Sequence, residues 1–175
     1  VDSTILLWIH HHGTPLLDGL FRFSHELGTV EFCSVLVVAA ALWHAARRQW
    51  PEALAWVAAG LTTLVLTVAI KLAVERPRPT LWPWMQSVSG FSFPSGHAMV
   101  SAAFFPLLGW LATRARRGAL GYAIGLLVAA YVGVGRLYLG VHWPSDVLAG
   151  WALGLAQSGT AIWWLSRPAR PSGGS

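Results

Sequence analysis

The chain has 175 residues, of which 55% are hydrophobic and only 11% charged, with 11 tryptophans and a mean hydropathy of +0.54. A soluble domain carries about 25% charged residues, so this deficit excludes an ordinary water-soluble globule and points to an integral membrane protein. The formal net charge of +5 does not indicate nucleic acid as a partner, because the basic residues form short clusters between apolar runs and not one basic face.

Cys33 is the single cysteine and lies inside an apolar run, so there is neither a disulfide framework nor a cysteine metal site. At the N-terminus, the run Ile5 to Ile9 is too brief to span and reads as the remnant of a longer span. His10, His11 and His12 are adjacent, do not share a helix face, and are not expected to bind metal. Residues 13 to 28 place Leu16, Leu17, Leu20, Phe21 and Leu27 on one stripe, with Asp18, Arg22, His25 and Glu26 opposite. Thr14 can cap this helix, Pro15 suits its first position and Gly28 ends it, and the pattern predicts a helix lying in the membrane interface.

Five long apolar runs follow, at 32 to 46, 53 to 74, 97 to 113, 119 to 135 and 146 to 165. At 1.5 Å per residue they measure about 22 to 33 Å, the scale of a hydrocarbon core. The predicted fold is an all-α, polytopic transmembrane bundle with five spans and an N-terminal interfacial helix. It forms one domain over 1 to 175, with an interfacial segment to 30, a core from 31 to 166 and a flexible tail over 167 to 175. Gly121 with Gly125, and Gly150 with Gly154, are spaced to let helix backbones approach.

Arg47 and Arg48 follow the first run, Arg114, Arg116 and Arg117 the third, and Arg167 and Arg170 the fifth. The positive-inside rule makes those ends cytoplasmic. Trp43, Trp50, Trp110, Trp163 and Trp164 fall near that boundary, and Trp82, Trp84 and Trp143 near the opposite one, as aromatic belts would.

Three segments then reach the same outer face. The second run ends with Lys71 inside apolar sequence, followed by Arg76, Pro77, Arg78 and Pro79, whose prolines break the helix. A cation within a span costs about 2.5 to 3.5 kcal/mol on insertion scales, so it has a partner or a purpose. Pro94-Ser95-Gly96-His97 opens the third run, where free backbone N–H groups at a helix start favour a bound phosphate. Arg136, His142 and Asp146 join the last two runs, with a carboxylate placed to orient an imidazole. Lys71, Arg76, Arg78 and Arg136 outnumber the acids Glu75 and Asp146 there, an excess that calls for an anion and argues against a metal. The intervening segment from Thr80 to Phe93 reads equally as a gate or as a headgroup-level plug.

In order and spacing, Lys71-x6-Arg78-Pro79, Pro94-Ser95-Gly96-His97 and Arg136-x5-His142-x3-Asp146 resemble the motifs of the type 2 phosphatidic acid phosphatase superfamily of membrane lipid phosphatases, which share a helical core and site with vanadium haloperoxidases. The resemblance implies His142 as a nucleophile forming a phosphohistidine, Asp146 holding its ring, and His97 as acid and base. It also implies Lys71, Arg78, Arg136, Ser95 and Gly96 as phosphate ligands, with no metal and no other cofactor. Two departures stand out: Gly135 replaces the serine frequent before the arginine, and five spans are counted where bacterial members usually have six.

The expected function is hydrolysis of a phosphomonoester or diphosphate of a membrane lipid at the outer face of a bacterial-type inner membrane. An undecaprenyl diphosphate type ranks first, with phosphatidylglycerophosphate or phosphatidic acid behind it. The alternatives are a phosphotransferase using the same phosphohistidine and a non-catalytic lipid-phosphate binding module. The expected partners are the bilayer and its lipid phosphate; no oligomeric state is legible.

Overall fold

A computed structural model describes residues 1–167 as seven helices, joined by short connections except for the long segment 75–95 between the fourth and the fifth. They are α1 (Asp2–His11), α2 (Pro15–Leu27), α3 (Val30–Ala46), α4 (Trp50–Val74), α5 (Gly96–Thr113), α6 (Gly118–Tyr138) and α7 (Pro144–Leu165). Of the expected tail, the residues from 168 onward lie outside those described.

Local sequence sets the boundaries. Thr14 accepts from the Leu17 amide at 3.3 Å and Thr29 from the Phe32 amide at 3.2 Å, capping α2 and α3. α4 stops at Glu75, which adopts a left-handed conformation (φ 48°), and Pro77 and Pro79 prevent its continuation. Asp146 caps α7 by accepting from the Trp143 amide at 2.9 Å.

α4, α5 and α6 are each long and apolar enough to cross a membrane. α2 and α3, which meet at a 47° bend, pass the same test together as one broken span. α7 has 22 residues, but Asp146, Gln157 and three tryptophans lower its hydropathy. The protein is thus an all-helical membrane protein with three spans by length and composition among the described residues, or four counting the bent pair.

α5 is the central helix, packed between α6 and α7, while α3 pairs with α4 and α2 lies on α6. Glycines make the central contacts close. A Cβ on Gly109 or Gly121 would meet the other residue's carbonyl oxygen at 2.0 Å, and one on Gly154 would meet the Met99 oxygen at 2.3 Å. A Cβ on Gly125 would sit 2.4 Å from the Phe105 oxygen, whereas one on Gly19 would meet nothing within 4 Å. Gly125→Ala is therefore expected to lower the melting temperature in detergent, by about 1–3 kcal/mol in stability terms, and Gly19→Ala to leave it unchanged or raised.

The orientation of α2 departs from the pattern. Leu16, Leu20 and Phe23 are exposed on the side away from the protein, whereas Leu17, Phe21, Ser24 and Gly28 turn inward. Asp18 and His25, expected on the solvated face, also make inward contacts: Asp18 accepts from the Tyr138 hydroxyl at 2.5 Å and His25 bonds Arg136. In a lipid solvent an apolar stripe can face outward, so hydrophobic periodicity locates the helix without saying which face is buried.

Candidate active site

The predicted site residues converge at one end of the bundle, where α4 and α6 finish and α5 and α7 begin. The arginines at the C-terminal ends of α3, α5 and α7 lie at the opposite end, where Arg47, Arg114 and Arg167 sit over Trp43, Trp110 and Trp163.

His142 lies in the short connection between α6 and α7 and is buried. Its Nδ1 faces Asp146 Oδ2 at 3.5 Å, one helical turn onward, and its Nε2 faces Arg78 Nη1 at 3.2 Å. Burial, reinforced by Arg78 and Arg136, lowers the His142 pKa to about 4 against the partial opposing effect of Asp146. The imidazole is therefore neutral at pH 7. A proton on Nδ1, toward the carboxylate, leaves the lone pair on Nε2.

Asp146 is fully buried and holds four groups at once. Besides His142 and the Trp143 amide, it accepts from the Ser92 hydroxyl at 2.5 Å and from Arg76 Nη1 at 2.8 Å. Arg76 also reaches Ser145 Oγ at 2.7 Å and Asp2 of α1 at 3.3 Å. Counted from sequence among the cations awaiting an anion, Arg76 is committed to carboxylates already.

Lys71 and Arg78 are held by the segment between α4 and α5. Lys71 Nζ donates to the Phe91 carbonyl at 2.9 Å, Arg78 Nε to Gly90 at 2.9 Å and Arg78 Nη2 to Ser89 at 3.0 Å. These carbonyls fix the guanidinium so that Nη1 points to His142 Nε2. These contacts test neither the gate nor the plug expected of residues 80 to 93; they show Ser89, Gly90 and Phe91 holding the cations in place.

Ser95 caps α5, its Oγ accepting from the Ala98 amide at 3.5 Å while its own amide donates to the Asp146 carbonyl at 3.0 Å. Gly96 and His97 follow in the first turn, where amides have no carbonyl partner within the helix. The α5 N-terminus is thereby tied to the α7 N-terminus, bringing Ser95, Gly96 and His97 to the His142 cluster. Arg136 is fully buried near the end of α6, and His25 of α2 touches both it and the His97 ring.

Three buried polar atoms in this cluster have no hydrogen-bond partner among the described residues: Arg136 Nε, Arg136 Nη2 and His97 Nε2. Two are donors on one guanidinium, a charged group for which an unmet buried donor is especially costly. Such a set suits an oxyanion that offers several acceptors at once. A separate cavity of about 340 Å³, lined by His10, Asp18, Trp82 and Tyr138 among others, contains none of the predicted site residues.

The family model described as PAP2 superfamily matches residues 52–170, which include every one of the predicted site residues. The chain belongs to the PAP2 superfamily.

Among curated relatives, phosphatidylglycerophosphatase B of Bacillus subtilis is 33% identical over 147 residues, covering 81% of this chain and 71% of that protein. An undecaprenyl-diphosphatase of Sulfolobus acidocaldarius is 41% identical over 69 residues, covering 37% of this chain and 29% of that one. A crystal structure of a transmembrane PAP2 type phosphatidylglycerolphosphate phosphatase from Bacillus subtilis superposes with a TM-score of 0.87 at 30% identity, covering 97% of this chain and 86% of that one. Aquifex aeolicus LpxE shares the fold, with a TM-score of 0.72 at 24% identity over 93% of this chain and 94% of that one.

Within this cluster, Ser92, His25 and Ser24 went unrecognised in the sequence, and Arg76 was counted there for an anionic ligand and not for Asp146. Ser92 and Arg76 reach Asp146 from 54 and 70 residues away, and His25 reaches Arg136 from 111. Ser24 accounts for Gly135: a Cβ there would lie 2.0 Å from Ser24 Oγ, so the space that a serine at 135 would use is filled from α2. His25 was grouped in the sequence with Asp18, Arg22 and Glu26 on the polar side of an amphipathic helix, and Ser24 beside it carried no signal.

Proposed function

We propose that this chain is a membrane lipid phosphatase that works through a phosphohistidine on His142, without a metal, at a site facing the outside of the cell membrane. The observation that carries the reading is the placement of His142, with Nδ1 facing Asp146 and Nε2 beside Arg78, in the same cluster as the unpaired donors of Arg136. The names of the relatives supply the class of substrate, a phosphate on a membrane lipid. α7 and the α2–α3 pair would join α4, α5 and α6 as spans, and the basic ends of α3, α5 and α7 would face the cytoplasm.

In the first step His142 Nε2 attacks phosphorus, the bond to the lipid oxygen breaks, and His97 gives that oxygen its proton. In the second, His97 takes a proton from water, the water oxygen attacks phosphorus, and the P–N bond breaks to release phosphate and neutral His142. Lys71, Arg78, Arg136, the Ser95 hydroxyl and the Gly96 amide would hold the phosphoryl oxygens and stabilise the charge that develops on them. Asp146 would keep His142 in its working tautomer, and Ser92 and Arg76 would keep Asp146 in place.

The test is phosphate release by the purified full chain from a panel of phosphatidylglycerophosphate, undecaprenyl diphosphate and phosphatidic acid. Turnover of one or more is expected, with the first two heading the panel because relatives carrying those names match here. No turnover of any would overturn the enzyme reading in favour of a binding module. Label passing into a second lipid and not into free phosphate would replace hydrolysis by phosphotransfer. Ser92→Ala is expected to lower kcat about tenfold with KM little changed, because the hydroxyl acts on the His142–Asp146 pair and not on the lipid.

A further inference from the structure

We propose that His25, on α2, is a third histidine of the site: a positioning residue that fixes the face of Arg136 presented to the phosphoryl group and the plane of the His97 ring. The inference rests on the phosphatase reading for its kinetic consequences, but its geometry stands alone.

His25 Nδ1 lies 2.7 Å from Arg136 Nη1. A guanidinium has only donors, so His25 must accept at Nδ1, which places its proton on Nε2 and makes the ring neutral. With Nη1 held, the Nε and Nη2 side of the same guanidinium is the side without partners among the described residues. Those two N–H groups point the same way as a side-on fork, matched to two oxygens of one phosphate. Rotation of the guanidinium by one position would exchange a free fork for a bonded one, and the His25 contact opposes that rotation.

The same ring stacks on His97, with centroids 4.7 Å apart and planes 23° from parallel. One turn further on, a Cβ on Gly28 would lie 2.8 Å from His97 Cδ2, so the end of α2 closes against the edge of that ring. Ser24, Gly28 and His25 thus make one turn of α2 into a wall: the first seals against Gly135, the second against His97, and the third touches both working groups. His97 acts in both chemical steps, so the loss of this wall falls on kcat more than on KM.

Three substitutions separate the contributions in the 175-residue chain in detergent. His25→Asn keeps an acceptor near the Nδ1 position, His25→Phe keeps the stacked ring without an acceptor, and His25→Ala keeps neither. His25→Ala is expected to lower kcat about 10- to 100-fold with KM within about threefold. His25→Asn recovers a large part of the loss and His25→Phe recovers less. Orthovanadate, read by the rise in melting temperature it produces, reports the Arg136 fork without turnover: its affinity is expected to fall about tenfold or more in His25→Phe and to be largely kept in His25→Asn. Wild-type kcat and vanadate affinity in His25→Phe would overturn the proposal, as would equal impairment of the Asn and Phe variants. If the wild-type chain turns over no lipid, the phosphatase reading fails, and the vanadate series alone decides the role of His25.

Discussion

His142→Ala is expected to abolish phosphate release, by about 10³-fold or more in kcat, while the fold and the helix content stay as they are. The side chain lies in a five-residue connection and is buried against the polar cluster, so its removal vacates the nucleophile's position without opening the α5 core. His97→Ala is expected to lower turnover about 10²- to 10⁴-fold, and in a way that separates the two steps. With a lipid alkoxide as leaving group the first step stalls, because nothing protonates the departing oxygen. With a phenolic leaving group that departs unprotonated, the first step proceeds and the second does not, so an acid-labile, base-stable phosphate accumulates on His142. Mass spectrometry of the His97→Ala protein after brief exposure to such an ester tests this directly. A phosphate found elsewhere, or none with turnover retained, would remove His142 from the role proposed for it.

The contrast between these two histidines and the third shows what a sequence of this kind discloses. Lys71, Arg78, His97, Arg136, His142 and Asp146 are legible because each is a polar residue at the end of an apolar run, and runs that alternate direction carry those ends to one face. The long helices were legible because bilayer thickness fixes their length, and the start of α2 because Thr14 caps it, whereas the caps Thr29 and Asp146 emerge only in the structure. Ser92, His25 and the pairing of Arg76 with Asp146 were not, because nothing local distinguishes a serine in a Trp- and Pro-rich linker, or a histidine on an amphipathic helix, from a solvated one. Their function comes from contacts made 54 to 111 residues away. Gly135 is the same lesson in reverse. Its missing side chain is intelligible only once Ser24 is seen to occupy the place.

Arg136→Met is expected to abolish activity and yet to raise the melting temperature of the unliganded protein. Arg136 is fully buried, touches one neutral imidazole through Nη1, and leaves Nε and Nη2 without partners among the described residues. Desolvating a cation costs several kcal/mol, and a single neutral acceptor offsets little of it. A methionine of similar length removes that cost and packs against the same helices, so a gain of about 1–4 kcal/mol in the empty state is the expected direction and scale. The stabilised variant has lost the fork that meets the phosphoryl oxygens, with a fall of about 10²- to 10³-fold or more in kcat/KM. Arg136→Lys keeps the charge and loses the two-donor geometry, so it should retain neither the activity of the wild type nor the stability of the methionine variant. Inorganic phosphate or orthovanadate completes the test by linkage. Each binds the native state and raises its melting temperature in proportion to the logarithm of concentration in the wild type, and should do so far less in Arg136→Met. The wild-type curve without ligand should therefore lie below that of the methionine variant and approach it as ligand is added. A methionine variant less stable than the empty wild type would show that the cluster satisfies Arg136 by itself, and that the idle donors are not a place kept for phosphate.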